Sequence, residues 1–298
     1  MWRYRRQPAH IERTAEHVDP GRIGTARVAV LTIIDEEFGA ARGALGTTSH
    51  VEGTPYYRRA PLDNGVVLSQ AIDRGNVPAT NAARDILENW RPEVLMLMGI
   101  AGGIFGRDSV ALGDVVVPRY LHYGEMRKLT PQGDLRRYVA FDQPAKNLQE
   151  SFVDPTRREQ HWYAGISQAP PDGEQASPGV LTGSLVAGEK IMGNPSHHEQ
   201  RLLVSDFNDA VAVDMESFGV ARAVFEQRGD VNYNPRFLVV RGISDLVRAT
   251  KSRTRVSTRQ EQDNNEQRQL WKLYASATAA AFVAELSSRI LRVLDPRL

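Results

Sequence analysis

Val28-Ala29-Val30-Leu31-Thr32-Ile33-Ile34 is a nearly unbroken apolar, β-branched run that leads straight into Asp35-Glu36-Glu37. A strand with one wet face alternates apolar and polar residues. A run without alternation marks a strand covered on both faces, as in a parallel sheet packed between helices. Val94-Leu95-Met96-Leu97-Met98 has the same character and ends at Gly99, and Val115-Val116-Val117 is a shorter version stopped by Pro118. Val211-Ala212-Val213 and Phe237-Leu238-Val239-Val240-Arg241-Gly242-Ile243 complete the candidate core strands.

Helical patterns lie between these runs. Asn81 to Trp90 fits a helix whose exit is marked by Pro92, and Ser217 to Glu226 places Phe218, Ala221, Val224 and Phe225 on one helical face. Trp271, Tyr274, Thr278, Phe282, Leu286, Ile290 and Leu294 recur every three or four residues, which predicts a long amphipathic helix docked on the core. Strands alternating with helices predict one α/β domain over residues 27–298. Residues 1–26, with Pro8, Pro20, Gly21 and Gly24, read as a polar leader. Two polar stretches, proline-rich at about 130–178 and charged at about 248–268, read as loops inserted in that domain, because strands of one sheet type flank each. There is no internal repeat.

The 298 residues are 41% hydrophobic and 24% charged, which excludes wholesale disorder, a collagen-like repeat and a coiled coil. Lys plus Arg number 37 and Asp plus Glu 36, so the formal charge of +1 gives no reason to expect duplex nucleic acid as a partner. With no cysteine, disulfides, thiolate nucleophiles and cysteine-held metals are excluded together. No apolar window is long enough to span a membrane. The basic start, Met1-Trp2-Arg3-Tyr4-Arg5-Arg6, lacks the apolar stretch of a secretory signal, so a soluble cytoplasmic protein is expected.

Ligands of open parallel sheets sit beyond the carboxyl ends of the strands. There the sequence offers Asp35-Glu36-Glu37, the glycine run Gly99-Ile100-Ala101-Gly102-Gly103, Asp214-Met215-Glu216 and Ser244-Asp245. Three strand ends deliver carboxylates, and the fourth delivers a glycine turn that lets a ligand approach the backbone closely. Each also has an ordinary structural explanation. Asp35 and Glu36 fit a helix N-terminus, Glu216 fits the first turn of the helix from Ser217, and Asp245 fits a cap. The convergence is stronger than any member.

Together with Leu112-Gly113-Asp114-Val115-Val116-Val117 and Gly188 followed by Ile191-Met192, these motifs resemble the purine nucleoside phosphorylase/uridine phosphorylase superfamily. Within it, the chain is most similar to methylthioadenosine/S-adenosylhomocysteine nucleosidases. The resemblance runs over about 27–125 and 180–246 and returns weakly in the C-terminal helix. Its most specific pieces are Met215-Glu216-Ser217 and Ile243-Ser244-Asp245. It implies a single-domain, three-layer α/β/α phosphorylase-like fold around a mixed, largely parallel twisted sheet.

The resemblance assigns roles residue by residue. Asp245 is the acid that protonates purine N7, and Ser244 orients it. A free aspartic acid titrates at about 3.9, so donation near neutrality requires a desolvating pocket. Glu216 grips the ribose hydroxyls, with Met215 packed beneath the sugar. Ala101 and Gly102 lie along the ligand, and Ile191 and Met192 give the base aliphatic contacts where relatives often use an aromatic ring. Glu37 matches the glutamate that activates water. Phosphorylases carry a glycine-rich, arginine-containing turn after the first strand, whereas this chain has Asp35-Glu36-Glu37, which repels phosphate. Hydrolysis of a purine, in particular adenine, nucleoside or nucleotide is therefore expected, without metal or organic cofactor. The alternatives are a phosphorolytic nucleoside phosphorylase and a nucleotide-sensing or effector module of a signalling or defence system.

Three further expectations follow. Ile100 replaces a small polar residue common in the nucleosidases and alters the water pocket. Arg248, Lys251 and Arg253, with Arg127 and Lys128, are placed beside the 5′ side of the sugar, where they favour a phosphorylated substrate. His197-His198 lacks a third ligand at metal spacing, and His122-Tyr123 lies in a loop that, in the family, nears the active site and sometimes a neighbouring subunit. That last resemblance implies a homo-oligomer, a dimer.

Overall fold

A computed structural model describes residues 23–59, 65–131, 133–136, 140–141, 146–171, 173, 177–248 and 258–294. The first half runs β1 (Val28–Thr32), α1 (Asp35–Leu45), β2 (Ser49–His50), β3 (Tyr57–Arg58), β4 (Val66–Gln70), α2 (Asn76–Trp90) and β5 (Val94–Ile104). The middle holds β6 (Val115–Val116), β7 (Tyr120–Tyr123), β8 (Arg127–Thr130), β9 (Gly133–Arg136), β10 (Ala140–Phe141), α3 (Lys146–Leu148), a π-helical turn (Gln149–Val153), α4 (Asp154–Glu159) and a 3₁₀ turn (His161–Gly165). The chain closes with β11 (Val180–Leu181), β12 (Ser184–Ala187), α5 (His198–Asp206), β13 (Ala210–Asp214), α6 (Ser217–Gln227), β14 (Arg236–Val247) and α7 (Thr258–Leu294).

At the centre, β4, β1, β5 and β14 lie side by side and parallel. Successive residues of β1 explain its unbroken apolar run. Ala29 and Leu31 pack with Ala83, Ile86 and Trp90 of α2 and Val220 and Val224 of α6. Val28 and Val30 face the other way, onto Ala41 and Leu45 of α1 and Phe282, Leu286 and Ile290 of α7. The sheet is thus the middle of three layers. Its antiparallel members, β13 on β5, β6 on β14, β10 on β7 and β2–β3 beyond β4, make it mixed. Among the described residues no helix is long and apolar enough to cross a membrane.

Several expectations are corrected. The glycine run is not a turn, because β5 continues through it to Ile104, paired with β14 and then with β13. Likewise β14 runs past Ile243 and carries Ser244-Asp245 inside the strand. Residues 130–178, expected as a loop, hold short regular elements, and Pro155 sits where the π-helical turn passes directly into α4. Of the expected 248–268 loop, Thr258 onward belongs to α7; Lys251 and Arg253 lie outside the described residues, as do residues 1–22 of the leader. His122-Tyr123 lies in strand β7, parallel to β12, rather than in a loop.

Candidate active site

Strand β5 is longer than β1, and that mismatch creates the site. β1 pairs with β5 only as far as Leu31 opposite Leu97, whereas β13 joins the same edge at Gly102 and Gly103. Between them the edge of β5 is open, the switch-point position at which open α/β sheets bind ligands. The N–H of Ile100 points into this gap and donates to Glu37 Oε1 at 2.9 Å. Glu37 Oε2 accepts from the N–H groups of Ile33 (2.8 Å) and Ile34 (3.2 Å) at the start of α1. The carboxylate therefore plugs a gap in the sheet with three backbone donors. Burial raises its pKa, against the pull of Arg241 and these hydrogen bonds, and only 2% of the residue is exposed. Oε1 accepts one of these hydrogen bonds and keeps a second acceptor site.

Arg241, fully buried on β14, organises the acids around it. Its Nε and Nη2 donate to Asp214 Oδ2 at 2.9 and 2.6 Å, and Nη2 also reaches Glu216 Oε2 at 3.2 Å. Asp214, not Glu216, caps α6, accepting from the Ser217 N–H and, at 2.8 Å, from its hydroxyl. That corrects the helix-dipole explanation of Glu216. Its side chain turns instead to the pocket, where Oε1 accepts from the Gly75 N–H at 3.1 Å. Burial raises the Glu216 pKa, Arg241 opposes this and Asp214 adds to it. Chain positions far apart thus meet through one guanidinium.

Asp245 enters from the opposite wall. The register of β14 against β5 slips between Ile243 and Asp245, so that Ala101 faces Ile243 and Gly102 faces Asp245. Such a bulge re-aims side chains beside binding sites. Ser244 Oγ donates to Asp245 Oδ1 at 2.7 Å, and the acid is 7% exposed.

Every predicted site residue borders one pocket: Glu37, Ala101, Gly102, Ile191, Met192, Met215, Glu216, Ser244 and Asp245. Met192 is buried, whereas Ile191 is 53% exposed and forms rim rather than floor. The described basic residues expected near the sugar, Arg248, Arg127 and Lys128, are placed elsewhere. Arg248 stacks over the Phe105 ring at 4.0 Å, Arg127 lines a neighbouring groove, and Lys128 points out from the β8–β9 hairpin. The cations that do line the pocket, Arg74, Lys190 and Arg268, were missed. His197 Nδ1 caps α5 by accepting from the Glu199 N–H. Tyr123 stacks on Phe218, with centroids 4.0 Å apart, and donates to Glu189.

Residues 27–284 match the family model of the phosphorylase superfamily. The chain belongs to that superfamily. Among its relatives, the ATP nucleosidase Cap17 of Escherichia coli (strain KTE188) is 26% identical over 252 residues, covering 76% of this chain and 47% of its own. The chain thus spans about half the length of that relative. A 5′-methylthioadenosine/S-adenosylhomocysteine nucleosidase of Listeria innocua is 24% identical over 225 residues, covering 74% of this chain and 86% of its own. Of solved structures, the Neisseria meningitidis 5′-methylthioadenosine/S-adenosylhomocysteine nucleosidase in complex with methylthio-immucillin-A superposes with a TM-score of 0.64 at 18% identity, over 87% of this chain and 97% of that one. The futalosine hydrolase of Helicobacter pylori gives 0.64 at 16%, over 89% and 98%. The three-layer architecture is therefore that of the phosphorylase superfamily.

Within this superfamily fold, the missed residues had little local signal. Arg74 sits in a polar turn before α2, Lys190 follows β12, and Arg268 lies in a stretch expected to be loop. Their common feature is the pocket, which is a property of the folded chain.

Proposed function

We propose that the protein hydrolyses the N-glycosidic bond of a purine, specifically adenine, nucleoside or nucleotide to free base and sugar. The observation that carries this reading is Glu37 in the gap between β1 and β13, buried, raised in pKa and with an acceptor site left, across one pocket from Asp245. Bond cleavage places positive charge on the sugar and negative charge on the base, so a carboxylate at one end and an acid at the other match both. Water gives a proton to Glu37 and attacks C1′, Asp245 gives a proton to N7 of the departing purine, and Glu216 accepts hydrogen bonds from the ribose hydroxyls. Met215, Ala101, Gly102 and Met192 supply the walls. Relatives named as ATP nucleosidase and methylthioadenosine/S-adenosylhomocysteine nucleosidase support an adenine-containing substrate.

Inorganic phosphate would have to displace water beside Glu37, among carboxylates, which argues against phosphorolysis. The setting that goes with this reading is a cytoplasmic homodimer. Exposed Met126 and Leu135, on one face of the β8–β9 hairpin, support self-association.

Chromatography of adenine and sugar products tests the activity. Free ribose or ribose phosphate forms without added phosphate, and Glu37→Gln and Asp245→Asn each lower kcat by about 10²–10⁴. Phosphate-dependent formation of ribose 1-phosphate would overturn the hydrolytic reading.

A further inference from the structure

Charge around the pocket changes sign with depth. The floor carries Asp245 together with Glu37, Asp214 and Glu216, the last three about buried Arg241, whereas the rim carries Arg74, Lys190 and Arg268. Lys190 is already committed, paired with Glu125 and 3.3 Å from Glu199. Lys272, one turn along α7 from Arg268, is taken by Glu36. Arg74 and Arg268 form no ion pair and no side-chain hydrogen bond among the described residues.

These two arginines belong to the same mouth. Arg74 directly precedes Gly75, whose N–H holds Glu216, so it stands at the sugar end of the pocket. Glu36 is kept below its usual pKa first by the hydrogen bond from Lys272 and further by the charge of Arg74. The turn of α7 that bears Lys272 and Arg268 therefore faces the loop that bears Arg74. α7 is anchored there by Gln267, whose Oε1 accepts from the Leu246 N–H next to Asp245.

We propose that Arg74 and Arg268 form a subsite for the 5′-phosphate group of a purine nucleotide, making the charged nucleotide, rather than the free nucleoside, the preferred substrate. The proposal rests on the reading of the floor given above. With the base at Asp245, the hydroxyls on Glu216 and water at Glu37, the sugar's remaining polar substituent is the 5′ group. The pocket's remaining uncommitted polar groups are the two guanidinium groups, whose planar forks suit phosphate oxygens. Carboxylates on the floor repel an anion and so drive that group outward to the rim.

The test compares adenine release from ATP, AMP and adenosine by wild type, Arg74→Gln, Arg268→Gln and the double variant, alongside equilibrium dialysis of labelled ATP and adenosine at low and high salt. The wild type prefers the nucleotides, each single variant lowers the ATP-to-adenosine ratio of kcat/KM by about tenfold, and wild-type ATP binding weakens with salt. Preference for adenosine in the wild type, or a ratio untouched in the double variant, overturns the subsite while leaving hydrolysis intact. Salt-sensitive ATP binding that is lost in the double variant, without base release from any substrate, upholds the subsite and overturns the hydrolytic reading.

Discussion

Glu37 must be ionised to take a proton from water, yet burial favours its neutral form. The acidic limb of the kcat profile is therefore expected above the ordinary glutamate value of 4.5, and a limb at or below that value would contradict a buried base. Stability follows the same sign. A carboxyl whose folded pKa lies above its unfolded value binds more protons when folded, so its contribution falls as pH rises from the unfolded through the folded pKa. The unfolding free energy of wild type relative to Glu37→Gln should thus decline as pH rises above the ordinary glutamate value of 4.5, as urea denaturation across a pH series would show. Arg241 works in the opposite sense. Its charge favours the ionised forms of Glu37 and Glu216 and so opposes the burial that raises both. That Asp245, Glu216 and Glu37 are candidate site residues was legible from short motifs, because each lies at or beside a recognisable strand; the folded geometry then brings them to one pocket. Arg241's part was not legible, since an arginine inside an apolar run has the same local appearance whether or not it bridges acids from other elements.

At the scale of elements, glycines show where close approach is required. A methyl group at Gly99 would lie 2.6 Å from Glu37 Oε1 and closer still to Arg241 Nη1. Gly99 thus keeps β5 bare beneath the two side chains that cross it. At Gly242 an added methyl would overlap the Ala275 carbonyl, the point where α7 presses on β14. Gly39 on α1 has nothing within 4 Å of the same position. Three outcomes are expected from denaturation and kinetics. Gly99→Ala displaces the base and lowers kcat more than tenfold, roughly the scale of an ångström misplacement. Gly242→Ala destabilises by about 1–3 kcal/mol or more through overpacking, and Gly39→Ala stabilises by roughly 0.5–1 kcal/mol because helix propensity alone acts. Equal effects at all three positions would contradict this account. The existence of the main strands could be read from apolar runs. Their lengths could not, because a glycine-rich segment reads as a turn until neighbouring strands are there to pair with it.

At the scale of the whole molecule, the apolar hairpin side chains predict self-association. Sedimentation should give about twice the chain mass of 33.2 kDa, and Leu135→Glu should shift the species toward monomer. A monomer in the wild type at all concentrations would contradict it. What the chain's order of residues determined by itself was the set of doubly buried strands, the flanking helices and the acids at their ends, since each depends on neighbours within a few positions. Folding decided the rest: that β1 stops short of β5 and leaves a gap for Glu37, that a slip in β14 turns Asp245 inward, and that Arg74 and Arg268 share the mouth of the pocket. These depend on the relative lengths and registers of strands distant in the chain, and register is set by packing across the sheet, which no local stretch of sequence contains.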